Sequence, residues 1–361
     1  MFPAYKDHIA LWTNELKAWV PERIFDAHVH LGPPGIVSPV TDERCKLALS
    51  TFTHFDWEEL NDCYQHVFAG KHIGGLIAFP FPQREVDLDL SNDYLIELMK
   101  ANSRITGFLA SHPTDVNQSI ATYRKAVKNG VCFRGVKPYA DRLGKSNFDA
   151  RMEEFIPDKL LQFMNSEGLA MMLHTSGIGV GAPETRHFLR TTTERYPRIP
   201  ILLAHMGRYI EPGHFFQFLN EGVLEACPSL YLEMSSTSSK EVYERVLARR
   251  SLWKRLIFGS DMPFGLITGV ERWSRDQGAI FLSRDDYPWS DASMHAQYAA
   301  ERKQLTYNTY HCIKALKDAV AGLGLSVGDA NELKQAIFYT NANNLFGHRC
   351  RLTQAVVKSV R

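Results

Sequence analysis

Six ionisable side chains stand out for where they fall in the chain. His28 and His30 lie in FDAHVHLG, Lys137 in GVKPY, His174 in AMMLHTSG, His205 in ILLAHMG and Asp261 in LIFGSDMPFG. Each ends or directly follows a short apolar run. Alternate residues of a strand share one face, so His28 and His30 can reach the same point from a single backbone segment. Neutral imidazoles and a carboxylate suit zinc and similar divalent ions, and a catalytic site keeps one position open for water. Three histidines and one aspartate would hold a metal whose bound water loses its proton near neutral pH. Asp261 is placed to accept that proton and pass it to a leaving group. A histidine not needed as a ligand is free to polarise or protonate a substrate oxygen. Asp26, two residues before His28, is expected on the same strand face, as a partner for an imidazole N–H.

Each piece alone is ordinary. With 14 His in the chain, an HxH pair is expected by chance about half the time. A lone strand-end histidine is commonly a hydrogen-bonded structural residue, an aspartate after a strand commonly caps a helix, and Lys137 can snorkel to solvent. What these readings do not explain is the coincidence: all of these residues sit at C-terminal strand ends and none at the other end.

The elements that must position them recur with a regular rhythm. Apolar runs rich in β-branched and aromatic residues fall at 23–31, 75–81, 105–111, 132–138, 169–175, 199–205, 230–234 and 256–260. Between them lie stretches of helical character: 92–101 after Ser91 and Asn92, 119–129 ending at Gly130, 157–167 ending at Gly168, and 242–250 after a serine-rich entry. Strands alternating with helices argue for a parallel sheet, because parallel neighbours need a crossover. Strands apolar nearly throughout suit a sheet covered on both faces. Eight such units match an α/β fold of the (β/α)8 TIM-barrel type, with an open doubly wound sheet as the competing architecture. In a barrel the C-terminal strand ends converge on one mouth, where active sites sit. Residues 1–22 read as a leading helix, 32–73 as a long insert after the first strand, and 266–361 as extra C-terminal helices, the longest at 292–316. No repeat, low-complexity tract or linker divides the chain, so residues 1–361 are expected as a single domain.

Composition narrows the partners. The 361 residues carry 41 Lys+Arg against 40 Asp+Glu, a formal net charge of +1. That balance gives no electrostatic case for nucleic acid or an anionic membrane surface. With 45% hydrophobic and 22% charged residues the chain is too apolar for disorder. Its most apolar stretch, 74–82 (GGLIAFPFP), is far short of the roughly 20 residues of a spanning helix. The six cysteines, at 45, 63, 132, 227, 312 and 350, include no CxxC pair and are too scattered for a disulfide framework or a cysteine zinc site. Lys6, Asp7, Glu15 and Lys17 interrupt the N-terminal apolar residues and leave no signal-peptide core. A reduced, cytoplasmic protein is expected, acting on a small molecule, with a homodimer as one possible assembly.

Taken together, FDAHVHLG, GFLASHP, GVKPY, the His174 strand, LLAHMGR, FGSDMPFG and the closing IFYTNANNLFG resemble the amidohydrolase superfamily. The resemblance is to its amidohydrolase-related branch, which includes aminocarboxymuconate-semialdehyde decarboxylase-like enzymes and TIM-barrel metal-dependent hydrolases. The motifs run in the expected order over residues 24–347, while 32–73 and 266–330 have no clear counterpart. The resemblance implies one divalent metal ion, zinc first and manganese or another divalent ion as alternatives. It implies His28, His30, His174 and Asp261 as ligands, with His205 and Asp261 as the catalytic groups. In binuclear members a carboxylated lysine on strand four bridges two metals, and Lys137 stands near that position. In the branch favoured here it contacts substrate instead, together with Tyr139 and Arg208.

The reaction implied is metal-dependent hydrolysis of a small, carboxylated organic substrate. The alternatives are non-oxidative decarboxylation on the same scaffold and, behind it, a metal-independent lactonase. Arg84, Arg134, Lys137, Arg142 and Arg208 lie near the mouth, and arginine grips a carboxylate by bidentate contact. A Schiff-base lyase built on Lys137 leaves the histidine cluster without a purpose. GIGVGA at 177–182 fits GxGxxA after a strand, but no acid follows about 20 residues on, where the ribose-binding group belongs. No GxSxG elbow exists.

Overall fold

Eight parallel strands hydrogen-bond side by side in sequence order, β1 to β8, in the computed structural model, which describes residues 4–347. They are β1 Arg23–His30, β2 His72–Phe79, β3 Ile105–Ala110, β4 Gly135–Lys137, β5 Ala170–Leu173, β6 Ile201–Leu203, β7 Leu230–Glu233 and β8 Leu256–Ile257. All eight expected runs are strands. The ring closes where the chain after β8 meets β1: Ala27 N donates to Phe258 O at 3.0 Å and His30 N to Met262 O at 2.7 Å. This is a (β/α)8 TIM barrel.

The nearly continuous apolar strands follow from two buried faces. In β5, Ala170 and Met172 join an inner cluster, whereas Met171 and Leu173 pack in the larger cluster shared with the helices. Leu202 of β6 points in likewise, and Ile201 and Leu203 point out. The inner cluster also holds Phe25, Ala27, Ile77, Phe79, Phe108 and Ile257. Its lower end is stopped by the helix Asn341–Phe346, whose Phe346 ring meets Phe108 edge-on at 5.6 Å. With that end plugged by apolar side chains, polar residues are accommodated at the opposite mouth.

The expected helices form with shifted ends: Leu88–Ala101, Val116–Lys128, Asp158–Glu167 and Lys240–Leu247. The first starts earlier than Ser91 and Asn92 suggest because Asp87 caps it, accepting from Leu90 N. Gly168 ends the third with φ +67°, a conformation that costs glycine nothing. Three expectations change. The leading helix is a short turn at Tyr5–Asp7 and a separate helical segment at Trp12–Leu16, and residues 1–3, like Cys350, lie outside the described residues. The helix expected at 292–316 is broken into Ala292–Gln297, Ala299–Arg302 and Asn308–Gly322. The break is Tyr307, held extended (φ −53°, ψ 135°) by an antiparallel bridge to Thr268. Finally, 266–361 is not only helical. Its β9 Gly269–Ser274 and β10 Gly278–Ser283 form an antiparallel hairpin. Among the described residues no helix is long and apolar enough to cross a membrane. Cys45, Cys63, Cys227 and Cys312 are free thiols.

Candidate metal centre at the barrel mouth

The centre begins with an irregularity in β1. Along β1, Asp26 pairs with Leu76 and Val29 with Ala78, so three steps on β1 oppose two on β2. Such a bulge shifts the alternation by one residue. Phe25 and Ala27 face the inner cluster below it, and His28 and His30 face the same interior above it, each packed on the inner ring of Phe79 with centroids 4.9 Å away.

Each imidazole has its Nδ1 committed to an acceptor. His28 Nδ1 lies 2.7 Å from Glu233 Oε2, and His30 Nδ1 lies 3.2 Å from the Pro80 carbonyl. Both Nε2 atoms then converge on one oxygen, each 3.2 Å from Asp261 Oδ1. His28 Nε2 is buried without a hydrogen-bond partner. Burial pushes the imidazoles toward the neutral form that ligates metals: His28 and His174 well below the ordinary histidine value, His30 below it, and His205 down to about 4. Burial raises the Asp261 carboxyl, but the facing His28, His205 and His30, the last as a hydrogen-bond partner, bring it below its ordinary value.

Asp261 reaches this point from a left-handed backbone, φ +59°. The segment before it is anchored by Asp26, which accepts from Ser260 N at 2.8 Å and Ser260 Oγ at 2.5 Å. The second carboxylate oxygen of Asp261, Oδ2, accepts from Ser236 Oγ at 3.1 Å. Ser236 (φ +54°) and His205 (φ +55°) are left-handed as well. Such conformations cost roughly 1–3 kcal/mol each and persist where the surroundings over-determine them, as at active sites.

Among the described residues, two groups offer ligand atoms within 4.8 Å of one another: His28, His30 and Asp261, and His28, His205 and Glu233. The orphaned, buried Nε2 of His28 and the imidazole–carboxylate donor set fit a divalent ion. His174, after β5, stands beside these groups and not within them, its ring edge-on to His205 with centroids 5.3 Å apart. Lys137 is buried below the mouth, its Nζ 4.8 Å from the Phe79 ring, and burial lowers its ammonium to about 8 against the pull of Asp261 and Glu233. Tyr139 lies beside the cluster: its ring stacks on that of His30 with centroids 6.4 Å apart, and its hydroxyl donates to Pro80 O at 2.5 Å and lies 3.4 Å from His30 Nδ1. Arg208 lies over the exposed Phe148 ring at 5.1 Å, with a buried Nη1 that has no hydrogen-bond partner.

Asp26 does not do what alternation suggests. The bulge puts it on the opposite face from His28 and His30, where Tyr64 Oη donates to it at 2.8 Å and the His28 backbone N–H at 3.2 Å. Burial pushes its carboxyl up to about 6. The carboxylate on an imidazole is instead Glu233, at the end of β7. Sequence reasoning passed over it, although LYLEMSS shows its signal: a lone acid in an apolar strand at the same end as the histidines.

Comparison with known proteins concerns the family and the fold. The sequence model of the amidohydrolase family matches residues 77–348, beginning within β2, so His28 and His30 lie before the match. Among solved structures the fold is similar to 4-oxalomesaconate hydratase from Rhodopseudomonas palustris, at 14% identity over 93% of this chain and 98% of that one, TM-score 0.52. It is also similar to IDCase from Metarhizium anisopliae in apo form, at 15% identity over 90% and 97%, TM-score 0.51. At such identities the likeness is one of fold. No curated protein matches the sequence.

Proposed function

This chain belongs to the amidohydrolase family, an enzyme family acting on small molecules and generally metal-dependent, and on that premise we propose that it is a divalent-metal-dependent hydrolase of a small carboxylated substrate. The observation that carries the reading is the convergence of His28 Nε2 and His30 Nε2, 3.2 Å each, on Asp261 Oδ1 while both Nδ1 atoms are held by acceptors. Those three residues, with His174 beside them as the fourth donor, are the proposed ligands, and zinc is the first candidate for their chemistry. When bound, the ion supplies Lewis acidity and a water of lowered pKa.

The other roles belong to the chain. The Asp261 carboxylate, steadied by Ser236 at Oδ2, takes the proton of the attacking water and passes it to the leaving group. His205, buried and neutral, is the imidazole that exchanges a proton with the substrate. Arg208, with Nη1 unpaired and its plane over Phe148, grips a carboxylate at the mouth, where an unmade charge-assisted hydrogen bond is available. Lys137, buried at the end of β4, adds a second cation. The unbonded Nη1 of Arg208 also supports a second reading, a decarboxylase, which needs a grip on the acid that leaves as CO2 and a proton donor to the carbon left behind.

Metal content per chain, on protein purified without chelator or added metal, is the first test. About one zinc-like ion, lost in His28→Ala, supports the mononuclear centre. About two would bring back a carboxylated Lys137, and none in an active protein would sink the metal mechanism. His205→Ala is expected to keep the metal and lose turnover by about 10²–10⁴-fold; retained turnover would remove His205 from the chemistry.

A further inference from the structure

Glu233 is a carboxylate buried in the barrel interior, and the groups around it are donors. Ser235 N points to Oε1 at 2.6 Å; Oε2 lies 2.7 Å from Ser235 Oγ, 2.7 Å from His28 Nδ1 and 3.4 Å from His205 N. Burial raises the Glu233 carboxyl, opposed by His205 and by the Ser235 hydroxyl and N–H; with Ser235 N and His205 N both donating to it it stands as an acceptor, so the single Ser235 hydroxyl proton is spent on Oε2. Ser235 Oγ is then an acceptor toward His205 Nδ1, 2.9 Å away, and the Ser235 carbonyl, 3.3 Å from the same nitrogen, accepts as well.

We infer that Glu233 and Ser235 are positioning residues that fix the proton of both His28 and His205 on Nδ1. His28 Nε2 is thereby left as a lone pair for the metal, and His205 Nε2 as the acceptor that begins its proton exchange. One short segment, from the end of β7 to the turn after it, sets the ligand and the acid–base imidazole together. The β8 strand leaves room for the arrangement. A side-chain carbon at Gly259 would lie 2.3 Å from Glu233 Oε1 and 2.6 Å from His28 Cβ, closer than packed atoms approach. A glycine in the chain just after β8 is therefore what lets a glutamate stand against the first histidine. The roles of the two imidazoles rest on the metal-centre reading, but the placement of their protons does not.

The test separates the two. In the full-length, metal-free chain with ¹⁵N-labelled histidine, long-range ¹H–¹⁵N spectra near pH 7.5 are expected to show both His28 and His205 protonated at Nδ1, the signals assigned by loss in His28→Gln and His205→Gln. Ser235→Ala leaves only the more distant backbone carbonyl, at 3.3 Å, for His205 Nδ1 and should shift His205 toward a mixture of tautomers, while His28, whose Nδ1 is 3.4 Å from Ser235 Oγ but 2.7 Å from Glu233 Oε2, keeps its Nδ1 proton. In competition with a chromogenic chelator, zinc alone should bind Glu233→Gln about 10–100-fold more weakly than the wild type, while Ser235→Ala binds within about threefold of it. Circular dichroism confirms that each variant is folded. Nε2–H on either histidine in the wild type overturns the inference, as does unchanged zinc affinity in a folded Glu233→Gln. A wild-type chain that takes up no zinc would defeat the metal reading, and the tautomer spectra would still decide this one.

Discussion

A single inserted residue in β1 divides the labour among Asp26, His28 and His30. Without the bulge Asp26, His28 and His30 would share a face, and strict alternation expects that. With it, Asp26 faces the helix layer, and its carboxylate collects Ser260 N, Ser260 Oγ, Tyr64 Oη and His28 N, so it braces the segment carrying Asp261. Tyr64→Phe removes one donor from this buried group and should cost about 1–3 kcal/mol, read as a lower urea midpoint; an unchanged midpoint would mean that Ser260 satisfies the carboxylate by itself. At this scale the residue types were legible and their directions were not. The histidine spacing in DAHVH marks the two proposed ligands of β1, but a bulge is a pairing event with β2 and leaves no mark in β1 alone. Glu233 was legible as an acid in an apolar strand, but its contact with His28, 205 residues away in sequence, was not.

Among the elements, all eight barrel strands were read in place, with ends up to three residues off, as in β4 at Gly135–Lys137 within the expected 132–138 and β8 at Leu256–Ile257 within 256–260, while the additions were not. The insert after β1 contains the helices Asp42–Cys45 and Trp57–Val67, and the first is tied down by Arg44. Its guanidinium meets Glu85 after β2 at 2.7 and 2.8 Å and Asp141 after β4 at 2.8 and 2.5 Å. Arg44→Leu leaves two carboxylates facing each other and should cost about 3 kcal/mol. The Arg44 hydrogen bond, opposed by burial, holds the Glu85 carboxyl below its ordinary 4.5. A depressed carboxyl stabilises the fold above its unfolded value and loses that stabilisation as pH falls through the folded one. The gap between wild type and Arg44→Leu should therefore be full at pH 7 and shrink in acid; a gap independent of pH would mean Arg44 acts by packing alone. The hairpin β9–β10 escaped notice because its burial does not alternate cleanly. Only Gly278, at φ +70°, marks its turn. Ser238 reaches the Glu271 carbonyl and Asn308 the Gly269 carbonyl, contacts set by the barrel it leans on.

At the scale of the molecule, the centre exists only because eight strand ends meet. Groups from β1, β7 and the segment after β8 are apart when the chain is unfolded, so an ion held by the proposed centre binds the folded state more tightly and its binding free energy adds to folding free energy. Zinc at about a thousand times its Kd should stabilise the protein by about 4 kcal/mol, which for a chain this long raises Tm by roughly 5 °C. Chelator should reverse the shift and His28→Ala should abolish it; a Tm indifferent to zinc and chelator would count against the site. The sequence by itself determined the fold class, because eight apolar runs separated by amphipathic stretches bury two faces as a parallel sheet between helices, with the C-terminal ends of the runs carrying the polar residues as a barrel mouth requires. It also determined the inventory of the mouth, because polar side chains are costly anywhere in those runs except at the open end. What only the tertiary structure decided is who touches whom: that Glu233 rather than Asp26 serves His28, that His174 stands beside His205 outside the tight cluster, and that Tyr139 turns to Pro80. Those outcomes hang on a bulge, three left-handed residues and a glycine, and each of these is fixed by contacts between segments far apart in the chain.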